Sequence, residues 1–149
     1  MAEDRKTSYF WEQKPKEGRP AKFRDSDHLW SCAVEYFEWA ENNPLQEEKL
    51  FHYQGEIKKE TISKMRAMTI AGLCIFVGMA ESTWQNYKND SEFLGVTGKI
   101  DSVIRNQKFA GAAADLLNAN IIARDLGLAD KQDHSVVALT HEEWLDSLD

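Results

Sequence analysis

Cysteine is scarce in this chain: Cys32 and Cys74 are the two among 149 residues, each within an expected helix and among apolar neighbours. Two such thiols make no disulfide framework, and a reducing, cytosolic setting is the default. Long apolar runs are missing as well. The longest, Ile70–Ala80, falls far short of the ~20 residues that a membrane helix needs. The N-terminus stays charged and polar where a signal peptide would turn apolar. A soluble intracellular protein with no membrane partner is expected. Net positive charge is also missing, since −7 at pH 7 argues against non-specific coating of nucleic acid.

Enzyme chemistry is equally hard to find. Gly95-Val-Thr-Gly98-Lys99 resembles a phosphate loop, but its glycines are too close together and no strand precedes it. His28 and Cys32 lie four apart on a helix, yet no second ligand pair accompanies them. His52, His134 and His141 are scattered over a hairpin and a tail. No serine or cysteine occupies a nucleophile elbow or stands beside a plausible base. The protein is expected to bind rather than catalyse, with no cofactor and no metal.

What is present is an ordinary globular composition, 42% hydrophobic and 29% charged, in a chain of single-domain size. The charge is divided between the two ends. Residues 5–24 carry a balance of +5, and residues 130–149 a balance of −5 from side chains. Opposite ends of opposite sign suggest two different partners. Residues 1–25 have Pro15, Gly18, Pro20 and no usable periodicity, and they read as a basic flexible arm. Its cluster Tyr9-Phe10-Trp11 exceeds what a purely solvated tail needs. Gly18-Arg19-Pro20 resembles the core of hooks that place an arginine in a narrow A·T-rich minor groove.

A helix capped by Ser26 or Asp27 follows, with Leu29, Trp30, Ala33, Val34, Phe37 and Ala40 at helical spacing, and Asn42-Asn43-Pro44 ends it. The period then changes. Phe51, Tyr53, Ile57 and Ile62 around Gln54-Gly55 predict a β-hairpin near 50–62. Residues 69–88 carry the most specific pattern. A helix over Thr69–Val77 turns Leu73 and Val77 inward with small Cys74 between them; Gly78 permits a sharp turn and Met79 plugs it. A second helix from Ser82 or Thr83 then places Trp84 and Tyr87 against the first. This is helix-turn-helix spacing, and it would point Thr83, Gln85, Asn86 and Lys88 outward to read a groove or bind phosphate. A plain helical hairpin would use the same glycine turn. Lys64 and Arg66, just before it, are further phosphate candidates.

Another helix is expected over Glu92–Asn106, leading into the stretch Lys108–Leu128, KFAGAAADLLNANIIARDLGL, which reads as one helix closed by Gly127. Its apolar residues do not keep to one face, so it is buried on several sides. It is either the centre of a monomeric core or a spine that packs against its own copies. For the second reading the contact residues are Phe109, Ala110, Gly111, Ala112, Ala113, Ala114, Leu117 and Ile121. Beyond Asp130, Val136-Val137-Ala138-Leu139 predicts one short strand with no partner in its own chain. Thr140 and Glu143 form a capping box for a short acidic helix whose Trp144, Leu145 and Leu148 make a docking patch.

Four segments of the chain resemble one known family. YFEWAENNPL, YQGE, KMRAMTIAGL and QKFAGAAADLLNANIIARDLGL are similar to the small terminase subunit of headful-packaging Salmonella short-tailed phages, nearly unbroken from about Gly18 to Leu128. The resemblance implies a non-enzymatic DNA-packaging protein of the host cytoplasm, not expected in the mature virion. It implies a ring, nonameric in its relatives, that recognises the packaging-initiation site on concatemeric phage DNA. It also implies that the ring recruits and regulates the large terminase ATPase-nuclease. The chain is thus expected to be mainly α, a helical protomer with one hairpin and a short C-terminal strand, assembling into a homo-oligomeric ring. Its parts are the arm 1–25, a core 26–128 and an acidic tail 129–149. In the relatives that tail is longer, basic and implicated in DNA binding, a role an acidic end would not support because phosphate repels it. DNA contact is therefore expected on Lys14, Lys16, Arg19, Lys22 and Arg24, and around Lys64, Arg66 and the second helix of the turn motif. Trp144, Leu145 and Leu148 are assigned to the large subunit. A helix-turn-helix transcriptional regulator is the alternative.

Overall fold

The computed structural model describes residues 9–128, 141–146 and 148. Helix α1 spans Ser26–Asn42, and its cap is Asp25 rather than Ser26 or Asp27: the carboxylate accepts the His28 N–H at 2.8 Å. Its buried residues, Leu29, Cys32, Ala33, Tyr36 and Ala40, form one stripe at helical spacing. Trp30 and Phe37, expected inside, are only partly buried at its edge.

The hairpin is longer than expected. Strands β1, Leu45–Tyr53, and β2, Glu56–Lys64, pair antiparallel in the register Leu45↔Lys64 to Tyr53↔Glu56. Gln54 and Gly55 both have positive φ, 50° and 77°, the backbone of the tight turn whose twist matches its strands. Nearly every residue of the ribbon is exposed on both faces.

Helix α2, Ile70–Val77, is capped by Thr69, whose hydroxyl oxygen accepts the Gly72 N–H at 2.9 Å. Helix α3 spans Glu81–Asn89 and buries Trp84 completely. Helix α4 then runs twenty residues, Leu94–Ala113. Thr97, Ile100, Ile104, Lys108 and Gly111 make its inner stripe. The main core joins this stripe to α1 and α2 through Leu29, Ala33, Leu73 and Val77. Each such aliphatic side chain contributes about 1.5–3 kcal/mol on burial.

The stretch Lys108–Leu128 is not a single helix. The chain breaks after Ala113 and resumes as α5, Ala119–Asp125. At the break Asp115 takes a left-handed conformation, φ 58°, which a short polar side chain tolerates. The Gly111 carbonyl accepts both the Leu116 N–H, at 2.8 Å, and the Leu117 N–H, at 3.1 Å, so the orphan end of α4 is satisfied locally. Asn118 then caps α5 by accepting the Ile121 N–H at 3.0 Å. Gly127, at φ 69°, closes α5 rather than one long helix. A final helix, α6, spans His141–Asp146. The strand expected at Val136–Leu139 and the Thr140 cap lie outside the described residues.

Candidate nucleic-acid interface and assembly surface

The turn between α2 and α3 has the anticipated form. Gly78 is left-handed, φ 77°, and its N–H and that of Met79 both reach the Cys74 carbonyl, at 2.9 and 3.0 Å. Leu73, Cys74 and Val77 are buried on one side of it and Trp84 on the other. Gln85 and Asn86 are exposed on α3, and Thr83 is half-buried. Lys88 differs from the expectation: it is half-buried and pairs with Asp101 of α4 at 3.3 Å.

The cations before the motif are engaged too. Lys64 meets Glu47 at 2.7 Å across the base of the hairpin, and this hydrogen bond holds the Glu47 carboxyl below the usual carboxylate range. Arg66 donates to the Asn43 carbonyl at 2.8 Å and lies over the Trp39 ring, 4.9 Å from its centre. Lys64 thus closes the base of the hairpin, and Arg66 ties the chain leaving it to the end of α1. Lys14, Lys16, Lys22 and Arg24 are exposed. Arg19 is exposed as well but anchored: its Nη2 donates to the carbonyls of Trp11 and Gln13, at 2.7 and 3.1 Å, and its Nε to that of Phe76, at 3.4 Å.

The arm is held at other points as well. Pro15 and Phe23 are buried. Phe23 lies edge-on to Tyr87 of α3, with ring centres 5.4 Å apart. The Lys16 N–H donates to Glu35 of α1 at 3.3 Å. Tyr9 and Trp11 stack on each other, 4.5 Å apart, and stay half-exposed.

Neither cysteine is activated as a thiolate. Burial, aided by Glu81, pushes the Cys74 thiol up to about 11, and burial with Glu35 and Glu17 raises Cys32. Burial also raises Tyr36, whose hydroxyl accepts the Thr69 N–H at 3.1 Å. His28 Nδ1 accepts the Arg24 N–H at 3.1 Å, which makes it part of the entry to α1. Gly95 and Gly98 lie inside α4, and Lys99 stands 3.9 Å over the Trp30 ring, so no phosphate loop exists there. Among the described residues no cluster of three or more His, Cys, Asp or Glu could hold a metal. None of their helices is long and apolar enough to cross a membrane.

The eight residues expected to meet neighbouring copies divide into two sets. Phe109 and Ile121 are 55% and 64% exposed, and Ala110, Ala113 and Ala114 are exposed beside them. Ala112 is half-buried. Gly111 and Leu117 face inward: a Cβ on Gly111 would stand 2.7 Å from Leu117 Cδ1 and 2.8 Å from Met65 Sδ. Their tight contact is within the chain. Leu116 and Leu128, outside the expected set, extend the exposed apolar surface. Lys108 is the unexpected member of the inner stripe, 7% exposed and paired with Asp125 of α5. Its partner lies seventeen positions away across the break in the helix, so local sequence carried no signal for the pair. On α6, Trp144 and Leu145 are about half-exposed, and Leu148 beyond it is exposed.

Comparison with known proteins places this arrangement. The chain is 52% identical over 126 residues to the small terminase subunit of Salmonella phage P22, which covers 85% of this chain and 78% of that one. Residues 18–134 match the family described as DNA-packaging protein gp3. That span holds the last third of the arm, α1, the hairpin, the α2–α3 turn and both α4 and α5. The chain belongs to the DNA-packaging protein gp3 family of phage small terminase subunits.

Proposed function

We propose that this small terminase subunit is a non-catalytic ring, nonameric by analogy, that recognises the packaging-initiation site on concatemeric phage DNA in the host cytoplasm. It hands that DNA to the large terminase ATPase-nuclease, which it recruits and regulates, and it does not remain in the mature virion. The observation that carries the DNA reading is the α2–α3 turn, with Gly78 left-handed and Gln85 and Asn86 exposed on the second helix. Amide side chains of this kind pair with adenine edges in the major groove. The exposed Lys14, Lys16, Lys22 and Arg24 supply phosphate contacts that α3 lacks, because Lys88 is committed to Asp101. The exposed apolar row Phe109, Leu116 and Ile121 supports assembly. The acidic end with Trp144, Leu145 and Leu148 is the element assigned to the large subunit.

One experiment tests the main reading. Native mass spectrometry is combined with binding to duplex carrying the phage packaging region, measured across salt. A closed oligomer with steeply salt-sensitive affinity supports it. A dimer on a palindromic duplex points to a transcriptional regulator, and a ring without DNA affinity to a purely structural protein.

A further inference from the structure

The arm carries seven of the chain's eighteen Lys and Arg residues, and its described part takes a defined course. At its start the turn Phe10–Glu12 packs on α2, and Phe10 lines a groove with Trp39 and Arg66. At its end Phe23 is buried against Tyr87 of α3, and the Phe23 N–H approaches the Tyr87 hydroxyl at 3.5 Å. Arg19 ties the middle. Its guanidinium bridges two carbonyls of the arm itself and reaches a third, that of Phe76, in the last turn of α2. The last carbonyls of a helix lack intrahelical donors and carry partial negative charge, so a guanidinium there is well placed. The aliphatic stem of Arg19 also lies directly on the turn glycine. A Cβ added to Gly78 would stand 2.7 Å from Arg19 Cδ. The glycine that makes the turn is therefore also the floor on which the arm rests.

We infer that Arg19 is a positioning residue which fixes the basic arm across the α2–α3 turn, so that Lys22 is presented beside α3 as part of that helix's surface for duplex DNA. Lys22 precedes Phe23 in the chain, and Phe23 touches α3, so this cation is held at the border of that helix, whereas Arg24 lines a hollow with Asp25, Asp27 and Glu35. The inference rests on the DNA reading above and changes the part Arg19 plays in it. An arginine engaged with three carbonyls positions the phosphate contacts rather than entering the groove. Fixing the arm in advance spares DNA the conformational entropy of ordering it.

The test uses the full chain and three variants: Arg19→Met, Arg19→Lys and Lys22→Gln. Amide hydrogen exchange of residues 9–25 is measured without DNA, and duplex affinity is measured across a salt series. Arg19→Met should raise exchange in the arm several-fold and weaken duplex binding several-fold while leaving the salt slope near its original value. Arg19→Lys should restore little, because an ammonium cannot span the three carbonyls. Lys22→Gln should lower the salt slope by close to one, since each phosphate contact contributes roughly 0.9. Unchanged exchange in Arg19→Met overturns the clamp. Raised exchange with unaltered DNA affinity overturns the arm's place in the surface. A salt slope that falls by about one in Arg19→Met makes Arg19 a phosphate contact and also overturns the proposal. Absence of duplex binding by the unaltered chain defeats the DNA reading itself, while the exchange comparison still decides whether Arg19 clamps the arm.

Discussion

Gly78 shows how one residue can serve two constraints. Its left-handed backbone, φ 77°, disfavours any side chain, and the space above it is filled by Arg19. Gly78→Ala should therefore cost about 1–2 kcal/mol for the backbone alone, measured by urea unfolding, and it should also loosen the arm. Gly72 is constrained differently, because a Cβ there would collide with the Tyr36 hydroxyl that accepts the Thr69 N–H. Buried thiols give a pH signature. Cys74 is raised from an ordinary value of 9.0 to about 11, so the folded state holds its proton longer than the unfolded chain does. Its contribution to stability is fully present below pH 9 and is lost as pH rises towards 11; Cys32 and Tyr36 act with the same sign. The urea midpoint should fall over that range, and Cys74→Ala should make the fall shallower.

At the scale of elements, α5 is held to α4 by the Lys108–Asp125 pair and by the Asn118 cap. Removing Asp125 strands a buried ammonium, whereas Lys108→Met keeps the packing and removes the charge, so Asp125→Ala should destabilise more than Lys108→Met in thermal unfolding. Asn118→Ala should cost about 0.5–2 kcal/mol by loss of the cap. The elements differ in how far the sequence revealed them. Helices α1 to α3 are legible because apolar period and a turn glycine agree, although α1 is capped by Asp25 and α3 starts at Glu81 after Ala80, ahead of the expected Ser82 or Thr83. The hairpin is legible at Gln54-Gly55, although its strands run past the alternating apolar core that marks it. The break between α4 and α5 is not legible. No glycine or proline stands at positions 114–118, and composition there favours a helix. The chain turns because Leu117 folds back onto Gly111 and Met65, a tertiary contact that outweighs propensity. The candidate site divides in the same way. Exposed Gln85 and Asn86 follow from spacing alone, whereas the partners of Lys64, Arg66 and Lys88 are distant carboxylates, carbonyls and rings that no local pattern announces.

At the scale of the molecule, α4 presents two surfaces with different surroundings. Its inner stripe, Thr97 to Gly111, is occupied by the chain's own core, and Phe109 with Ile121 beyond it is left outside. Phe109→Asp and Ile121→Asp should leave the far-ultraviolet spectrum and monomer stability nearly unchanged but abolish assembly in native mass spectrometry. A ring that persists through both substitutions would place the subunit contact elsewhere. Gly111→Ala should act in the opposite order and disturb the fold before the assembly. This separation has a genetic consequence. In a cell making both altered and normal copies, an inner-stripe defect removes its own product and should behave as recessive. An outer-face defect on one edge leaves a folded subunit whose other edge still fits a normal neighbour. In the proposed ring such a subunit would enter and stop its closure, and a minority of such copies should then suppress phage yield as a dominant trait.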